Sequence, residues 1–155
     1  WAAVLAVLRV VGTVLLVAGL LVSPLLGIVA AKLRRRRRRR TAGDPTTRIL
    51  GGWRDVTDEA RDFGLNLPAA GTRTEIAAEI GRPQALVLAR VADRAVYAPE
   101  EPDLLEAERV WATADALRAF LAEGRTRRER WGAAISPRSL RRYRGRRRST
   151  GGRDA

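Results

Sequence analysis

The sequence predicts an all-α protein: one transmembrane helix, a small bundle of about four helices beyond it, and a largely disordered basic tail. Three observations carry that expectation. Val10–Ala31 runs for 22 residues without a charge and is followed by Lys32 and the unbroken arginines Arg34–Arg40. Beyond Asp44 the apolar residues recur three and four apart, the period of a helix with one buried face. No segment of any length alternates apolar and polar residues in the strand period. The chain divides into a transmembrane helix over 1–33, a polyarginine juxtamembrane linker over 34–44, a helical domain over 45–123 and an Arg-rich tail over 124–155.

A 22-residue helix is roughly 33 Å long, enough to cross a hydrocarbon core of about 30 Å. Residues 1–8 extend the apolar stretch; Arg9 can snorkel toward headgroups and Trp1 suits an interfacial aromatic belt. A signal peptide would need its positive charge before the apolar core, whereas here it follows. Clustered cations hold their end of a span in the cytoplasm, so the expectation is a plasma-membrane protein with Trp1 outside and the bundle inside. Lys32, Arg34, Arg35, Arg36, Arg37, Arg38, Arg39 and Arg40 are expected to anchor to anionic lipid, each cation contributing about 1 kcal/mol near such a surface. Gly19, Ser23, Gly27 and Ala31 line one helix face, the small-residue spacing that lets sister spans pack closely. A start at Trp1 instead of Met implies a fragment whose missing part lies outside or in earlier spans.

Helices are expected at about 45–63, 73–80, 83–96 and 103–123. Asp44 and Pro45 form a start signal, and Ile49, Trp53, Val56, Ala60 and Phe63 make one apolar stripe. Asp55, Asp58, Glu59 and Asp62 then read as a solvated face, with Asp58 and Asp62 opposite the stripe. Gly51 and Gly52 weaken the first turns, and Gly64 ends the helix. Thr72 and Glu75 make a capping box. Gly81 and Pro83 separate the next two helices; Ala85, Leu86, Leu88, Ala89, Ala92 and Val96 make the second of them the expected most buried element. In the last helix Leu104, Ala107, Val110 or Trp111, Ala114, Leu117 and Leu121 fall at helical spacing.

With no Cys and no His, these residues hold no disulfide, no Cys/His metal site, no thiol nucleophile and no Ser-His pair. The net charge of +13 separates by region. Residues 1–40 carry nine basic and no acidic groups, 41–124 nine basic and fifteen acidic, and 125–155 twelve basic and two acidic. The middle domain is acidic between two basic blocks, so the high pI belongs to the flanks.

One alternative is a membrane-tethered regulator with a DNA-binding helix-turn-helix over 72–96, Ile76, Ala77, Ile80 and Val87 pointing inward. Its groove-facing surface would be Pro83, Gln84, Ala85, Leu88, Ala89 and Ala92, in which only Gln84 can read a base edge and no cation meets phosphate. Nucleic acid is therefore not the expected partner.

Taken together, the arginine-capped span, the Thr72-x-x-Glu75-x-Ala77 box, the run Ala92-Asp93-Arg94-Ala95-Val96-Tyr97 and the Trp111 helix resemble the C-terminal region of TgpA-type bacterial membrane transglutaminase-like proteins. The resemblance covers nearly the whole chain through short, mostly structural motifs, and departs from the family's common Thr-Pro helix start in having Arg73 after Thr72. It implies a parent protein with several spans and an extracytoplasmic domain bearing a Cys-His-Asp triad, of which this chain would be the cytoplasmic end, a domain of unknown function. Thr72, Glu75, Ala77, Asp93, Arg94, Tyr97 and Trp111 are then structural positions. The sequence-based expectation is a non-catalytic accessory or interaction domain without cofactor or metal. Its expected partners are the anionic membrane, the parent's other spans and a cytoplasmic protein.

Overall fold

A computed structural model of the chain describes residues 1–139. Among the described residues there are six helices and no strand: α1 (Ala2–Arg40), α2 (Pro45–Asp62), α3 (Arg73–Ile80), α4 (Pro83–Tyr97), α5 (Leu104–Ala122) and α6 (Arg127–Ile135). The all-α class and four of the expected helices stand as predicted, to within a residue or two at their ends.

Two boundaries differ. The juxtamembrane linker is helix as far as Arg40, so that α1 is one element of 39 residues and only 41–44 connect it to α2. Pro24 lies inside α1 without ending it. Arg37–Arg40 fill the last turn, where cations meet the negative end of the helix dipole, and the Thr41 hydroxyl closes the helix by donating to the Arg37 carbonyl at 2.9 Å. The second difference is the tail. Residues 127–135 form α6, begun by a capping box in which Thr126 and Glu129 satisfy each other's backbone amides. Expected disorder beyond Ser139 lies outside the described residues.

Local signals set the other ends. Asp44 accepts from the Thr47 amide at 2.7 Å, the Thr72–Glu75 box is complete, and Asp103 accepts from the Glu106 amide at 2.6 Å. Gly81 ends α3 at φ +72°, a left-handed conformation that glycine adopts without Cβ strain.

The first part of α1 stands clear of everything else, its large apolar side chains exposed, Leu20 at 72%. It is long and apolar enough to cross a membrane. Its last turns, from Val29 to Arg40, lie antiparallel against α2. Helix α2 is the centre of the bundle, contacting α1, α4, α5 and α6. Ten of its residues are buried against four in α4, so α2, not α4, is the most buried element. Its stripe of Ile49, Trp53, Val56 and Ala60 meets Ala77, Leu88, Ala89, Ala114 and Leu117 in the core. Three positions expected to point inward turn outward: Val87, Val96 and Leu104, at 42–56% exposure.

Gly51 and Gly52 do more than weaken a helix start. A Cβ on Gly51 would sit 2.9 Å from the Arg39 Cβ and 3.2 Å from its carbonyl oxygen; one on Gly52 would sit 2.8 Å from a Val110 methyl. The pair lets α1 approach α2 on one side and α5 on the other. Gly51→Val is expected to destabilise the bundle by about 1–3 kcal/mol through overpacking. Gly43→Ala, where a Cβ meets nothing within 4 Å, should leave thermal unfolding in detergent unchanged.

Candidate functional site: a basic-acidic ladder at the end of the span

The arginine run and the acidic face of α2 find each other. On α1, residues 32, 35, 36, 39 and 40 share one face; on α2, residues 55, 58, 59 and 62 do the same, and the two sets run in opposite directions. Lys32 Nζ lies 2.8 Å from Asp62 Oδ2. One turn on, Arg35 and Arg39 both reach Asp58 Oδ2, at 3.5 and 2.9 Å. Arg36 Nε lies 3.1 Å from Asp55 Oδ2, and its guanidinium also pairs with Asp115 of α5. Arg40 closes the row on Asp115 at 3.0 Å. From the α5 side Arg118 grips Asp55 at 3.2 Å and Glu59 at 3.0 Å.

This corrects the expectation of a solvated acidic face. Asp55, Asp58 and Asp62 are 8, 7 and 6% exposed. The helical period put them on the right face of α2; what it could not show is that a second helix covers that face. The arginine run divides correspondingly. Lys32, Arg35, Arg36, Arg39 and Arg40 are engaged by carboxylates, which corrects the reading of the whole run as lipid anchor. Exposed Arg34, Arg37 and Arg38 pair with no carboxylate among the described residues and keep a free outer face.

Burial pushes the Asp58 carboxyl above its usual range, an effect opposed but not overcome by Arg39, Arg35 and Arg61. Exposed Asp44 is held below the usual range by its hydrogen bonds from Thr47 at the α2 N-cap. Glu129 is likewise lowered by hydrogen bonds from Thr126 in the α6 box.

Trp111 anchors the same corner. It is 1% exposed and its indole N–H donates to the Arg48 carbonyl at 3.1 Å. The guanidiniums of Arg36 and Arg40 lie over its ring at 5.8 and 5.6 Å from the centroid. Cations over an indole face gain about 0.5–2 kcal/mol, so Trp111 draws the same arginines that Asp115 does.

At the other end of the ladder the chain closes back on α1. Lys32 Nζ donates to the Ala133 carbonyl at 2.8 Å, placing α6 beside the last turns of the apolar stretch. The buried Ser139 amide donates to Asp62 at 3.2 Å. Between α1, α2, α5 and α6 is a cavity of about 230 Å³, lined by the ladder and by Val29, Leu33, Phe63, Arg130 and Ala134. The carboxylates do not converge on a point that could hold a metal ion among the described residues, and each is engaged by a cation. What this arrangement does chemically is join two helices in a fixed register.

The remaining predicted positions fall as follows. Thr72 and Glu75 cap α3 and Ala77 is fully buried. Asp93 pairs with Arg73, and Arg94 with Glu106, so these two tie α4 to its neighbours. Tyr97, at the end of α4, is 78% exposed and lies outside the core. Gly19, Ser23, Gly27 and Ala31 line the exposed part of α1, and a Cβ on Gly19 or Gly27 would meet nothing within 4 Å. For the helix-turn-helix alternative, Ile76, Ala77 and Ile80 are inward but Val87 is exposed, while Ala85, Leu88, Ala89 and Ala92 are in the core. Four of the six residues assigned to the DNA groove are therefore already covered by protein, while Pro83 and Gln84 stay exposed.

No family model, no curated protein and no solved structure matches this chain. By its own geometry it is an all-helical protein with one candidate membrane span locked to a small bundle.

Two measurements check the ladder. A double-mutant cycle on Arg39→Ala and Asp58→Ala should give a coupling of roughly 0.5–3 kcal/mol, the range for contacting groups in one network; additivity would remove the pair from the structure. Carboxyl NMR should place the Asp58 midpoint above that of an exposed aspartate. Because the folded state holds that proton more tightly than the unfolded chain, the stability linked to it is full below the usual aspartate range and is lost as pH rises through the raised folded value.

Proposed function

We propose that this chain is a non-catalytic, membrane-anchored accessory domain. In this reading α1 spans the plasma membrane, Trp1 lies outside, and the bundle is a cytoplasmic interaction module. The observation that carries it is the continuity of α1: one helix passes without a break from an exposed apolar segment to a ladder that clamps it to α2. A tether would need no such clamp. The orientation rests on the cations following the apolar stretch, and the free outer face of Arg34, Arg37 and Arg38 suits anionic headgroups.

Within this reading the chain is the C-terminal end of a transglutaminase-like membrane protein, its partners being the anionic membrane, the parent's other spans along Gly19, Ser23, Gly27 and Ala31, and a cytoplasmic protein. Support for the parentage is the resemblance carried by Thr72-x-x-Glu75-x-Ala77, by the run Ala92-Asp93-Arg94-Ala95-Val96-Tyr97 and by the Trp111 helix.

The chain contains no cysteine, so a single Cys reports its own side of the membrane. Glu101→Cys, on the exposed α4–α5 turn, should resist an impermeant maleimide in intact cells and react after permeabilisation. Labelling in intact cells would overturn the orientation.

A further inference from the structure

We propose that α6 is an interfacial helix whose exposed face, formed by Arg127, Arg128 and Trp131, lies in the headgroup layer of an anionic membrane. The inference rests on reading α1 as a span and adds a second, non-spanning contact with the same bilayer.

Height along α1 is the first argument. The uncharged stretch ends at Ala31, and Lys32 donates to Ala133 in the last turn of α6 at 2.8 Å. Val29, inside the uncharged stretch, lines the same cavity as Arg130 and Ala134 of α6. Leu26 one turn earlier is 62% exposed, whereas Ile28 and Val29 are half-buried. Helix α6 therefore overlaps the last turn of the span. The polar layer on each side of the hydrocarbon is only about 5–8 Å deep, so a helix at this height is within reach of it.

Chemistry of the outward face is the second. Ala133 is buried against the bundle at 6% exposure, while Trp131 is 69% exposed. Trp131 stands two residues, about 200°, round the helix from Ala133. Arg127 and Arg128 precede it by four and three residues and share its face; both are exposed and neither pairs with a carboxylate among the described residues. An indole flanked by guanidiniums is costly to leave in water and matches a zone that offers apolar contact beside phosphate. The acidic groups of the bundle's far end, Glu100, Glu101 and Asp103, belong to the α4–α5 turn and not to this face.

The test uses the full chain in phosphatidylcholine vesicles with and without phosphatidylglycerol. A nitroxide on Gly132→Cys leaves Trp131 in place, and a Cβ at 132 meets nothing within 4 Å. Labels at Glu101→Cys and Leu16→Cys serve as aqueous and lipid references. In anionic vesicles the 132 label should show several-fold less collision with a water-soluble nickel complex, relative to oxygen, than the 101 label. Trp131→Ala, or Arg127→Gln with Arg128→Gln, should move it toward the 101 value, and so should removing phosphatidylglycerol. If 132 matches 101 while Leu16 is in lipid, this inference falls and the span stands. If Leu16 is in water, the span itself falls. Shielding at 132 that ignores lipid charge and grows with the protein-to-lipid ratio would assign the face to a second copy and overturn the proposal.

Discussion

A run of seven consecutive arginines resists being a helix on its own, because like charges three and four residues apart each cost roughly 0.2–0.5 kcal/mol. Carboxylates brought from α2 and α5 offset that cost at four of the seven, and the rest of the arrangement depends on them. Lys32 meets Asp62, Arg35 and Arg39 meet Asp58, Arg36 meets Asp55, and Arg40 meets Asp115. The pairing is not primarily a source of stability. Taking such charges out of water costs about what their attraction returns, whereas losing one partner of a buried pair costs about 3–5 kcal/mol. The effect of the ladder is therefore to penalise wrong registers. Sliding α1 by one turn would leave buried Asp62 without its cation or half-exposed Asp115 unpaired.

Long charged side chains can bridge a wide gap, so the ladder alone does not fix how closely the helices lie. Gly51 and Gly52 do that. Their missing side chains let the Arg39 backbone and Val110 come into contact with α2 on opposite sides. Trp111 then fills the corner where the three helices meet, satisfied by the Arg48 carbonyl. The acids have to be buried because the glycines bring α1 over them, and the raised titration of Asp58 is the physical trace of that burial.

The sequence made much of this legible and one central thing illegible. Caps at Asp44 and Thr72 were readable because they involve neighbours in the chain. The same pattern at Thr126 and Glu129 was equally readable, but the arginines around it suggested disorder instead. The α2 stripe was readable because Ile49, Trp53, Val56 and Ala60 keep the helical period. Asp55, Asp58 and Asp62 keep the same period on another face, and periodicity alone assigns a charged face to water. What could have found the ladder is the complementarity of two faces, cations at 32, 35, 36 and 39 and carboxylates at 55, 58, 59 and 62, each set recurring at helical spacing. A pairing between elements, unlike a cap, needs a hypothesis about which helices touch.

The same mismatch bears on what an anchor can transmit. Had 34–44 been a flexible linker, the bundle would sample orientations freely relative to the apolar stretch. With α1 helical to Arg40 and held at several rungs, rotating or tilting its last turns moves α2 as well unless a rung breaks. Pro24 is the one proline within α1, the kind of position where helices bend. It lies two turns before Lys32, on the apolar side of the ladder. A bend there would change the angle between the two parts of α1 while leaving the rungs intact, and would put the boundary of the clamped part inside the apolar stretch and not at the end of the arginine run.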